Sequence, residues 1–73
     1  MNDYVINLIW DQDVHVWIAT SDDIPGLVLE HGSFDALLER VRVAVPELLA
    51  LNAPGTKEIS IHYNTQRQER LAV

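Results

Sequence analysis

Tyr4, Ile6, Leu8 and Trp10 fall in one phase of an alternating stretch, with Val5, Asn7 and Ile9 in the other. A period of two in β-branched and aromatic residues predicts a strand with one buried face over Tyr4 to Trp10. Asp11, Gln12 and Asp13 then supply turn formers, and Val14, Val16 and Ile18 resume the alternation. An antiparallel hairpin follows, with that second phase facing the core. Ser21 to Gly26 reads as the next corner, because Pro25 fixes φ and Gly26 accepts the positive φ beside it. The third strand is expected over Leu27 to His31. Ser33 is a good helix N-cap, and from Phe34 the apolar positions Phe34, Leu37, Leu38, Val41, Val45, Leu48 and Leu49 keep the spacing of one buried helical stripe. Pro46 interrupts it. A proline in a helix interior costs about 3 kcal/mol, which predicts a kink or a restart, and burying Leu48 and Leu49 offsets this by about 1.5–3 kcal/mol each. Asn52 to Gly55 is a stop, and Lys57 to Tyr63 alternates again with Ile59, Ile61 and Tyr63 on one side.

The expected order is β-β-β-α-β, an α+β fold. A right-handed helical crossover brings the fourth strand beside the first, giving a sheet order of 3-2-1-4 with the helix on one face. The domain is read as residues 1–63. Residues 64–73 are polar and aperiodic, and are expected to be a mobile tail.

At 73 residues the chain is one small domain, which excludes an enzyme with its cleft between two domains. One helix covers one face of four strands, so the other face should be polar. It is not. Val5, Ile9 and Trp17 lie out of phase with the expected core and would form an apolar patch there, the expected self-association surface of a homodimer or higher homo-oligomer.

The 11 acidic side chains outnumber the 5 Lys and Arg, for a net charge of −6. Direct nucleic-acid binding is thereby disfavoured, since phosphate contacts need clustered cations, and a basic partner is expected instead. The charge is uneven. Residues 1–55 hold nine acids against Arg40 and Arg42, giving −7, whereas the remainder holds Lys57, Arg67 and Arg70 against Glu58 and Glu69, giving +1. With no cysteine, disulfides and thiolate metal sites are ruled out. No basic leader and no apolar run of roughly 18 residues is present, so a cytoplasmic protein without a membrane span is expected.

His15, His31 and His62 lack the local pairing of zinc ligands, and are expected on separate strands. Asp11, Asp13, Asp22 and Asp23 lie in turns, where Asp serves the backbone. No phosphate loop or nucleophile elbow occurs. The expectation is a non-enzyme without catalytic residues, cofactor or metal.

The run from Val16 to Leu37 carries Asp23-Ile24-Pro25-Gly26, then Glu30 and the Gly32-Ser33 helix start, and Pro46-Glu47-Leu48-Leu49 with Leu51-Asn52 follows at the helix end. With Trp10-Asp11 and Val16-Trp17 these features, over roughly residues 4–62, resemble the HicB-like antitoxin family. They are most similar to its short branch, a bacterial domain of unknown function. The resemblance implies a partial ribonuclease-H-like fold and a partner, a small basic HicA-type toxin ribonuclease that cleaves messenger RNA and is masked by the antitoxin. Longer HicB proteins add a C-terminal DNA-binding domain, which the ten residues after Tyr63 are too few to form. The function expected is therefore a non-enzymatic antitoxin, with a homo-oligomeric module that binds another protein or a small ligand as the alternative. Asp22, Asp23 and Glu30 are the expected toxin-binding residues, because Pro25 restricts the loop that joins their strands.

Overall fold

The computed structural model describes residues 3–55 and 57–73. Five elements follow one another: β1 (Asp3–Asp11), β2 (Val16–Thr20), β3 (Val28–His31), α1 (Phe34–Asn52) and β4 (Ser60–Gln66). They build an α+β fold around one mixed sheet of order β3-β2-β1-β4. β2 is antiparallel to both β1 and β3, and β4 runs parallel to β1. The order of elements and of strands is the one the alternation predicts.

Hairpin geometry decides which side chains are buried. The Asp11 carboxylate accepts from the Asp13 N–H at 2.9 Å, and His15 closes the turn with φ 56°. Four residues between the strands set Trp10 opposite Trp17 and Leu8 opposite Ala19. Residues opposite each other share a face, so Trp17 and Ala19 lie on the helix side with Leu8 and are buried. This corrects two expectations. Trp17 is not on the helix-free face, and Val16 and Ile18 are there instead. Both phases of β2 are apolar, so its alternation does not select a face, whereas a turn one residue shorter would have kept Val16 in phase with Leu8. His15, expected on the strand, sits in the turn with its ring stacked on Trp10, 6.0 Å between centroids. Val14 is exposed beside it.

The corner into β3 is a β-turn in which the Leu27 N–H donates to the Ile24 carbonyl at 3.3 Å. Gly26 takes φ 86°, as Pro-Gly predicts. Periodicity missed what this corner buries. Ile24 is fully enclosed and Leu27 nearly so, and both belong to the core with Ile6, Leu8, Trp17 and Ala19.

Ser33 Oγ accepts from the Ala36 N–H at 3.2 Å, capping α1, and Asp35 adds a carboxylate to the positively polarised first turn. Leu37, Val41, Val45 and Leu49 form the buried stripe. The expected restart at Pro46 does not occur. α1 is continuous to Asn52 with Pro46 exposed on its outer side, and the stripe passes beneath it uninterrupted.

α1 lies over β2 and β3. β4 starts three residues later than the alternation predicts and runs to Gln66, into the segment expected to be a tail. The long axis is 53 Å against 19 and 18 Å across.

Candidate functional site

On the helix-free face Ile9 stands opposite Ile18, and Thr20 opposite Val28. Val5, Ile9, Val16, Ile18 and Val28 thus give that face its apolar side chains, interspersed with Asn7, Thr20, Asn64 and Gln66. Val28 is 71% exposed and Ile9 48%. The expected patch therefore exists around Val5 and Ile9, with Ile18 and Val28 in the place assigned to Trp17. A register argument from the hairpin turn was the signal available for finding them.

Glu30 faces the same side as Val28, opposite Ile18, on the short edge strand β3. It is exposed, about 7 Å along the strand from Val28. Asp22 and Asp23 follow the end of β2 in a loop that is fastened to β1. Asp23 Oδ2 accepts from the Val5 N–H at 2.8 Å, Ser21 Oγ donates to the Val5 carbonyl at 2.6 Å, and the Asp23 N–H donates to Ser21 Oγ at 3.0 Å. Both aspartates are exposed, and Asp23 is a structural acceptor. Glu30 thus stands on β3 level with Ile18, whereas Asp22 lies beyond the end of β2 in the loop bonded to Val5 of β1, so the structure does not draw the three expected carboxylates into one cluster. Asp11 and Asp13 belong to the hairpin turn at the opposite end of β2, so the four aspartates do not converge.

The histidines are separated as well. His31 Nδ1 accepts from the Ser33 N–H at 2.9 Å at the entry to α1, and His62 Nε2 stands 3.9 Å from Asp3 Oδ1 on β4. Among the described residues no group of three or more His, Cys, Asp or Glu is placed to hold a metal ion.

A second feature lies on the helix side at the hairpin end. Trp17 meets Phe34 edge to face with centroids 4.8 Å apart, and Trp10 meets Trp17 at 5.3 Å. The Arg67 guanidinium lies 4.1 Å from the Trp10 ring centroid, a cation–π contact, and bonds Glu69 at 2.9 Å. The chain leaving β4 is therefore held against the aromatic cluster at its first residue, a contact with no local pattern to announce it.

The family model for a domain of unknown function, DUF1902, matches residues 3–73. The chain belongs to the DUF1902 family. That match takes in β4 and all the residues after it, so the family's unit includes the segment read from composition as a tail. The DUF1902 chain is also similar to a solved structure, the hypothetical protein TTHA1013 of the extremely thermophilic bacterium Thermus thermophilus. The two are 30% identical, with a TM-score of 0.73 over 99% of this chain and 100% of that one. No curated protein matches. Among the described residues no helix is long and apolar enough to cross a membrane.

Proposed function

We propose that this DUF1902 domain is a non-enzymatic, antitoxin-like protein that binds and masks a small basic HicA-type toxin ribonuclease. The observation that carries the reading is the face of the edge strand β3, where exposed Val28 and Glu30 stand on one side, with exposed Asp22 in the preceding loop that Ser21 and Asp23 fasten to β1. A ribonuclease that binds messenger RNA presents cations around its active site, and an inhibitor covering them needs carboxylates that do not have to be ordered on binding. The Asp23 and Ser21 bonds to Val5 supply that rigidity. β3 adds an open edge, whose unpaired backbone groups can take a strand from the toxin. The resemblance in the Asp23-Ile24-Pro25-Gly26 corner and the helix start supports the same assignment.

Titration calorimetry against a small basic HicA-type toxin ribonuclease tests the proposal. Binding is expected, and Asp22→Lys with Glu30→Lys should slow association and flatten its salt dependence while Asp23 keeps the loop in place. No binding, or equal affinity and salt dependence for the variant, would overturn it.

A further inference from the structure

β4 is the longer of the two sheet edges, and its outer side has no strand against it among the described residues. Soluble proteins blunt such edges with proline, lysine or a bulge. Ser60 to Gln66 contains neither proline nor lysine, and it has no Asp, Glu or Arg in a chain of net charge −6. Two copies that repel elsewhere can therefore approach along this strand. α1 lies over β2 and β3, so the helix side of β4 is left with Tyr63 exposed and Ile61 half-buried.

The residues beyond β4 add an independent argument. Beyond β4 the chain passes the hairpin, with Arg67 on Trp10 and Gln68 and Arg70 beside Gln12 and Asp13, and Leu71 to Val73 form its end in a molecule 53 Å long. On this C-terminal arm Leu71 and Val73 are exposed, and Arg67 and Arg70 outweigh Glu69, opposite in sign to the −7 of residues 1–55. At the other end of β4 an apolar groove is lined by Leu49, Ala50, Ala53, Pro54, Lys57 and Ile59.

We propose that two copies of the chain pair antiparallel through β4 about a twofold axis at Tyr63, and that each arm lies in the groove of the second copy. Pairing the full strand about its middle residue sets Ser60 opposite Gln66 and Tyr63 opposite Tyr63. Each copy's residues after β4 then run toward the segment that precedes β4 in the other, where Lys57 and the groove lie. The pairing that closes the edge thus directs Leu71 and Val73 toward the groove and Glu69 toward Lys57. The result is one eight-stranded sheet with both helices on the same side, and the interface is self-complementary, as twofold symmetry requires.

The chain has no cysteine, so single cysteines report the axis directly. Directly opposed residues of an antiparallel pair have Cα atoms about 4.5–5.5 Å apart, within disulfide reach. Oxidised Tyr63→Cys should run as a covalent dimer, and Ser60→Cys, about 20 Å from its own counterpart, should not. Cross-linking through Ile18→Cys instead, on the helix-free face, would overturn the proposal. Sedimentation equilibrium of the unsubstituted chain should show a dimer, and a monomer at every concentration would also overturn it. Leu71→Asp with Val73→Asp should raise the dimer Kd at least about tenfold with the circular dichroism unchanged, since the two apolar contacts are made twice per dimer. An unchanged Kd would remove the arm from the interface. No toxin enters these measurements, so their outcome is separate from that of the antitoxin reading.

Discussion

Asp22 and Asp23 are adjacent carboxylates in different situations. Both are exposed, but Asp23 closes a loop onto the Val5 N–H. Asp23→Ala is expected to lower stability by about 1 kcal/mol, the net value of such a bond, and Asp22→Ala to stay within about 0.5 kcal/mol of the parent, both read from urea midpoints. Gly26 holds φ 86°, and a Cβ there would lie 3.4 Å from Leu48 Cδ2. Gly26→Ala should therefore cost about 1 kcal/mol or more, chiefly in backbone strain with a close approach to α1 added. This corner was legible in the sequence because Pro-Gly has a conformational meaning of its own. Its Asp23 to Val5 bond was not, since it joins residues 18 positions apart and follows no local rule. Trp17 was misplaced for a related reason. With apolar residues on both sides of β2, the face was decided by the backbone of Gln12 to His15, and φ 56° at His15 is not written in hydropathy. Trp17→Ala should accordingly act on the fold rather than on assembly, lowering stability by about 3–5 kcal/mol through the loss of its packing on Phe34 and Trp10.

Among the elements, α1 was the most legible, because its cap, first-turn acid and stripe all point the same way. Pro46 is the single discordant residue, and packing overrides it: Val45 and Leu49 are buried on either side of it while its ring is exposed. Pro46→Ala restores a donor and a residue of high helix propensity, and should raise the melting temperature by roughly 4–8 °C for each kcal/mol gained, up to about 3 kcal/mol. A fall in melting temperature would show that the ring makes a needed contact. β4 was read three residues early because Ile59 already alternates with Ile61, although pairing to β1 begins only at Ser60. Its extension to Gln66 was hidden by polar residues, which suit an edge strand as well as a tail. Polarity reports exposure and leaves strand and coil undecided.

For the molecule as a whole, strand order was readable from sequence because a helical crossover from β3 leaves the place beside β1 as the natural one for β4. The surfaces were less so, since they depend on register and on which strands α1 happens to cover. The same topology governs how the chain assembles in time. β1 pairs with β4 across a separation of 57 positions, from Asp3 to Ser60, while the three-stranded meander and α1 are built from near neighbours in sequence. Local pairings close quickly and distant ones slowly, so the meander with α1 docked is expected to form first and β4 to be added last. Until then one side of β1 is bare. During synthesis on the ribosome that bare side persists until β4 has been made, and it presents the backbone of a central strand to any passing extended segment.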